Sequence, residues 1–230
     1  MREIPEESVP ERRPRNDRRR ARNRENLIKA AIDVAAELGS AALTPAAIAR
    51  RAGLHKQAFY VHFKDIDECV AEAARRIASE SSNAAEERHA ELVRRPVRDR
   101  AGELREMCTQ LEIARANGAV YRVLATERYS EGVVADTVRE LIQRSRKLWT
   151  SVLLDVAMRG GISASALAEI ENLASMLLEL SMATVLRLLD DPKLSIEAEA
   201  ERHIRFTEHL VRGELRALYR KQHGGRVGRA

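Results

Sequence analysis

The sequence predicts an all-α protein, with a small N-terminal three-helix head and a larger helical region behind it. Apolar residues recur at helical spacing through most of the 230 residues. Only 6 prolines and 11 glycines interrupt the chain, and Ala, Leu, Glu and Arg, all good helix formers, are abundant. Where breaks occur, they fall at Gly, Pro or Asn positions that suit the ends of helices.

The elements follow in order. RENLIKAAIDVAAELG places Leu27, Ala30, Ala31, Val34 and Leu38 on one stripe, and Gly39 stands where a C-terminal cap belongs. Thr44-Pro45 is a start signal, since Thr caps and Pro suits the first helical position. A short helix runs through Ile48 to about Ala52 and ends at Gly53. A third begins near Leu54 or His55 and reaches about Val61. Asp65 with Glu68 three residues on has the spacing of a capping box for a fourth helix, over 66–80. A polar stretch at 81–95 leads to Pro96. RAGELREMCTQLEIARANG is a helix stopped at Asn117-Gly118, and 119–129 a shorter one. Val134, Val138, Leu141, Leu148, Val152 and Val156 then share the face of a long helix that ends at Gly160-Gly161. Ser163 opens another, to about Leu189, apolar nearly all round from Leu173 to Val185, and Asp191-Pro192 breaks it. The last helix, about Ser195 to Lys221, carries the stripe Ile204, Val211, Leu215 and Leu218.

Charge separates the two parts. Residues 12–24 hold eight arginines against one acid, Asp17, whereas the chain from residue 65 onward is nearly neutral. An excess confined to the first quarter points to a polyanion partner for that part alone. The expected organisation is a disordered arginine-rich arm at 1–23, a three-helix head at 24–70 and a larger helical domain at 71–230. The longest apolar run, 172–189, is interrupted by Glu179 and Arg187, so no membrane span is expected. The charged N-terminus offers no secretion signal, and a cytoplasmic protein is expected. Cys69 and Cys108 are far apart and read as small buried hydrophobes rather than ligands.

Residues 43–68, LTPAAIARRAGLHKQAFYVHFKDIDE, carry the functional signal. Two short helices joined by a glycine-bearing turn make a helix-turn-helix. The second is polar at its start (His55, Lys56, Gln57) and aromatic later. A helix that enters the major groove needs that order, because its N-terminal side chains reach base edges. Lys bonds guanine acceptors, and Gln bonds adenine bidentately.

This stretch resembles the DNA-binding domain of TetR-family transcriptional regulators. The likeness rests on Ala30-Ala31, Val34-Ala35, Gly39, Thr44, Ile48-Ala49, Ala52-Gly53 and Tyr60-Val61-His62-Phe63, in that order and spacing, and covers about residues 24–70. It implies that Thr44, Tyr60 and His62 bond DNA phosphates, that Lys56 and Gln57 meet base edges or nearby backbone, and that Ile48, Leu54, Phe59 and Phe63 hold the core. His55 stands where the family usually has Ser or Thr, Ala58 where it often has Thr, and Ile66 where it favours Lys. Lys64 is the nearest replacement for that last phosphate contact. Arg18, Arg19, Arg20, Arg22 and Arg24, nearest the first helix, suit the narrow minor groove beside the main site.

For the rest of the chain the resemblance implies a ligand cavity enclosed before a dimer interface, the interface made by the last two helices and their copies. A helix apolar on all sides needs cover on all sides, which also favours a homodimer. Two recognition helices on a two-fold axis suit a pseudo-palindromic operator. Met107, Leu111, Tyr121, Leu124, Trp149, Leu153 and Met158 are the pocket candidates, and with aromatics at 3% of the chain the effector is expected to be small and apolar or acyl-like. Neither cofactor nor metal is expected. Glu86-x-x-His89 has di-iron ligand spacing but no second copy, and His203 and His209 lie six apart, off a common face. There is no phosphate loop or nucleophile elbow, so an enzyme is not expected. The expected function is a ligand-responsive, sequence-specific repressor. The alternative is an architectural protein that coats DNA with little sequence preference.

Overall fold

A computed structural model describes residues 14–79 and 100–224, with side chains from residue 17. Every element among them is helical. The chain divides into two compact units, 1–73 and 74–230.

In the first unit, α1 (Pro14–Leu38), α2 (Pro45–Arg51) and α3 (Lys56–His62) pack on one another. α4 follows, helical over the described residues 66–79. Leu27, Ile48, Phe59 and Phe63 are at most 1% exposed and form the centre, while Leu54 is half-buried at its edge. Phe59 and Phe63 lie with ring centroids 5.4 Å apart.

The turn between α2 and α3 shows why a glycine is needed. The amide of Leu54 donates to the carbonyl of Ala49 at 2.8 Å and that of Gly53 to Arg50 at 3.1 Å, a Schellman closure. It forces Gly53 to φ +70°, which side chains disfavour. α2 is clamped to α1 by Arg51, which donates to both carboxylate oxygens of Glu37 at 2.9 and 2.6 Å and lies 3.5 Å from Asp33. Those hydrogen bonds hold the Arg51 guanidinium above its ordinary pKa.

Two sequence expectations change here. α1 starts at Pro14, so residues 14–23, expected within a disordered arm, are helical. Pro at the first position and the arginines and alanine behind it favour this. Arg20 and Arg24 also gain partners that hold the extension in place. Leu38, expected on the core stripe, is 65% exposed, because the chain leaves α1 at Gly39 into a 3-10 turn. Residues 1–13 lie outside the described residues.

The second unit contains α5 (Arg100–Ala116), α6 (Gly118–Thr126), α7 (Val133–Arg159), α8 (Leu167–Asp190) and α9 (Ile196–His223). α8 packs on all four others. One core gathers Leu153, Ile162, Ile170, Leu173, Leu177 and Leu218, and a second gathers Leu111, Ala114, Val185, Leu188 and Ala200. α5 yields to α6 at Asn117, whose side chain donates to the Ile113 carbonyl at 3.0 Å. A Cβ at Gly118 would come 3.0 Å from a methyl carbon of Leu189, so a larger residue at this corner would have to push that side chain aside. The span 164–190 is long and apolar enough to cross a membrane by length and composition, despite Glu179 and Arg187. In this fold it serves as the central helix of the bundle. The expected stretch 81–95, with Glu86 and His89, lies outside the described residues.

Candidate nucleic-acid interface and effector cavity

α3 is amphipathic over two turns. Phe59 faces inward, while Lys56, Gln57, Tyr60 and Val61 are exposed. Positions 56, 57 and 60 lie on one side of a helix by their spacing. Tyr60 is 53% exposed and leans edge-on against Phe59, at 5.5 Å between centroids and 82° between planes. Its ring is therefore oriented by the core while most of it meets solvent. His55 is the N-cap of α3 but makes no side-chain capping bond, as expected of a residue standing in place of Ser or Thr.

Thr44 caps α2. Its hydroxyl oxygen accepts from the Ala47 amide at 3.1 Å, and the residue is exposed. Lys64 is exposed at the entrance to α4, where its amide donates to Glu68 at 2.8 Å while the Glu68 amide donates to Asp65 at 2.9 Å. This is a capping box displaced by one residue on one strut.

The arginines divide into two groups. Arg18, Arg19 and Arg22 are exposed on α1. Arg20 donates to the Val61 carbonyl at 3.4 Å. Arg24 donates to Glu72 at 3.0 Å and lies 4.8 Å over the Phe63 ring. The Glu72 hydrogen bond holds Arg24 above its ordinary pKa. Sequence reasoning placed Arg20 in a disordered arm and set both arginines against the minor groove. Their bracing role was hidden because their partners lie 41 and 48 residues away.

His62 is half-buried, with its Nδ1 enclosed and without a hydrogen-bond partner. Burial pushes its pKa below the ordinary histidine value, and the positive charges of Arg20 and Arg24 push it the same way. The imidazole is therefore biased to its neutral form. Cys69 is fully buried, and burial pushes its thiol up to about 12, which makes it inert packing.

The second unit holds a cavity of about 160 Å³. Met107, Leu111, Tyr121, Leu124 and Trp149 all line it. Leu153 and Met158 do not. Leu153 is 4% exposed within the other core, and Met158 is 55% exposed on the surface. The stripe identified the inward face of α7 but not how far along it the cavity extends, which is to Val152.

The polar part of the lining was missed by the sequence reading. Arg128 donates to Glu179 at 2.7 Å, and Thr184 shares a 3.0 Å hydrogen bond with His203 Nδ1. His203 was considered only as a metal ligand, yet it is a buried group in a ligand-sized space. The available signal was polar residues set among apolar ones, with Glu179, Ser181 and Thr184 on α8 alone. Among the described residues no cluster of His, Cys, Asp and Glu could hold a metal ion.

Comparison with known proteins agrees with this arrangement. Residues 27–73 match the family model for bacterial regulatory proteins of the tetR family. No curated protein matches the chain by sequence. Among solved structures, a candidate fatty acid metabolism regulator of Clostridium perfringens aligns at TM-score 0.61 and 18% identity, covering 82% of this chain and 97% of its own. A transcriptional regulator of the TerR/AcrR family from Aquifex aeolicus aligns at 0.55 and 17%, covering 82% and 97%. FadR from Bacillus subtilis, solved with stearoyl-CoA, aligns at 0.57 and 16%, covering 81% and 97%. At these identities the structural likeness speaks for the fold. The helix-turn-helix head thus matches the tetR-family model over residues 27–73, and the chain as a whole is similar in fold to solved regulators of that kind, with a small head and a larger helical domain.

Proposed function

We propose that this protein is a cytoplasmic, homodimeric repressor that releases its operator when a small, largely apolar ligand fills the cavity. The observation that carries the reading is that cavity, which is lined mainly by aliphatic side chains with a few polar groups between them. Ligand sites have that composition.

The DNA contacts follow from exposure and chemistry. Lys56 and Gln57, with His55 beside them, would meet base edges in the major groove. Thr44, Tyr60 and Lys64 would hold phosphates, as would neutral His62 through an Nε2–H. Arg18, Arg19 and Arg22 would neutralise phosphates flanking the main site. Dimerisation is supported by exposed apolar residues on the last two helices, Met176 on α8 and Phe206 and Tyr219 on α9. Pairing α8 and α9 with their copies would cover them. It would also set two recognition helices about 34 Å apart on a pseudo-palindromic site.

The ligand acts only if it binds the DNA-competent and DNA-incompetent arrangements unequally, and about 1–3 kcal/mol of difference suffices for regulation. Footprinting on DNA flanking the protein's own gene, across salt concentrations and with a panel of apolar compounds, tests this. A short symmetric site that survives near-physiological salt and is lost with one class of compound is expected. Diffuse protection that vanishes with salt would overturn the reading in favour of an architectural, weakly specific DNA-binding protein.

A further inference from the structure

One group in the cavity wall is poorly matched to an apolar ligand. Arg128 lies in the short 3-10 turn Glu127–Tyr129 that follows α6. Its side chain is only 20% exposed, and its Cζ lies 4.7 Å over the Tyr129 ring. One terminal nitrogen, Nη1, donates to Glu179, but the Nε is buried and has no hydrogen-bond partner. Buried donors on a charged group are seldom left in this state. Glu179, by contrast, is 59% exposed and can be solvated by water if it loses Arg128. The pair is asymmetric: the cation is enclosed with a donor to spare, and the anion is at the surface.

The buried space suits a small ligand group. A cavity of about 160 Å³ is close to the ~150 Å³ engineered cavity in another protein that holds benzene. That leaves space for a single ring or a short chain, with Leu124, Leu148, Trp149, Val152 and Met182 as apolar cover.

We propose that the effector is a small monocarboxylate with an aromatic ring or short aliphatic chain, its carboxylate accepting from Arg128. This rests on the ligand-gated reading above and specifies its chemistry. The guanidinium fork matches a carboxylate bidentately once the side chain turns from Glu179 toward the cavity it lines, which brings the enclosed, unpartnered Nε–H within reach. A neutral ligand would leave that donor unpaired. A cationic ligand would stand against the enclosed arginine. Glu179 exchanges Arg128 for water as the ligand's carboxylate takes over.

Trp149 is the only tryptophan and lines the cavity, so its fluorescence reports occupancy in the full-length protein. Benzoate, benzyl alcohol, benzylamine, hexanoate, hexanol and stearoyl-CoA are titrated against the wild type, Arg128→Met, Arg128→Lys and Glu179→Gln. Benzoate or hexanoate should bind at least tenfold tighter than its alcohol. Arg128→Met should abolish that advantage while leaving the alcohol's affinity within about threefold, which also reports an intact cavity. Arg128→Lys should retain part of the advantage, and Glu179→Gln should tighten the acid severalfold.

Equal affinity of acid and alcohol, with both releasing DNA, overturns the carboxylate assignment and leaves ligand gating standing. Tightest binding by benzylamine overturns it in favour of Glu179 as the anchor, and tightest binding by stearoyl-CoA overturns the size argument. If no compound perturbs Trp149 or DNA binding, the ligand-gated reading falls together with this one.

Discussion

Thr44 performs one task inside the fold and is assigned another outside it, and two substitutions separate them. Inside, its hydroxyl oxygen satisfies the Ala47 amide at the start of a seven-residue helix. Thr44→Ala should cost about 1 kcal/mol of local stability, since a capping bond is lost and α2 has few others to share the load. Asp caps as well as Thr or better, so Thr44→Asp should leave α2 at least as stable. Outside, the same position is assigned to a DNA phosphate. Thr44→Asp then removes a hydrogen bond of about 1 kcal/mol and sets a carboxylate against the phosphate, worth at least roughly another 1 kcal/mol, the value for two charges about 4 Å apart in water. About 2 kcal/mol corresponds to roughly 30-fold weaker binding. Hydrogen exchange across residues 44–51 reads the first effect, and fluorescence anisotropy with a random duplex at low salt reads the second. Random DNA suffices because phosphate contacts do not depend on sequence. Thr44→Asp binding DNA as wild type would refute the placement of Thr44 at the interface. Weaker binding together with faster exchange would show that the effect came through the fold instead.

Other tests address separate parts of the molecule. Arg19→Ala with Arg22→Ala should lower the slope of log affinity against log salt by about 1.8, whatever the DNA sequence, because two phosphate contacts disappear; an unchanged slope rejects those contacts. Gln57→Ala should alter preference among operator variants, and uniform weakening in a binding-site selection would argue against base readout. His62 has a depressed pKa in the folded head, so the unfolded chain binds its proton more readily. Stability is then fully present above the unfolded value of about 6.5 and is lost as pH falls below it, toward the lower folded value. Hydrogen exchange of α3 against pH should show this loss, and His62→Gln should remove it. The Glu199 side chain is 3% exposed between Arg202 at 3.0 Å and Arg187 at 3.4 Å, both more open to solvent. Removing both arginines should cost roughly 3 kcal/mol by leaving a buried charge alone, and Glu199→Gln only about 1, as measured by thermal unfolding.

The head was legible because its constraints are local. A cap at Thr44, a left-handed glycine at position 53 and aromatics at 59 and 63 each act within a few residues, so spacing alone carries them. What spacing could not show is pairing across the chain. The Arg51 clamp on Glu37 and the Arg24 contact with Glu72 join residues 14 and 48 apart, and any of the neighbouring arginines could have served. In the second unit, periodicity located the inward faces of α5 and α7 but not their depth. Trp149 therefore reached the cavity, whereas Leu153, four residues on along the same helix, packs into the other core.

α8 explains why so apolar a helix carries scattered polar groups. It contributes Leu178, Met182 and Val185 to the cavity together with Glu179 and Thr184, while Leu173 and Leu177 fill the core below. Met176 remains exposed on the same helix. Different faces of this one helix thus meet a ligand space, a packed core and the surface assigned to a second subunit. A helix packed along most of its length shifts as a body rather than deforming residue by residue, because its close-packed contacts outside the cavity leave little room to absorb the change. A ligand that replaces Glu179 on Arg128 removes a tie between α8 and the turn after α6, since Glu179 belongs to α8. The same displacement would be felt at Met176, less than one turn away. On this view the Arg128–Glu179 pair holds α8 in its unliganded position, and Glu179→Gln should weaken operator binding even without ligand. Unchanged affinity in that variant would separate the cavity from the dimer surface.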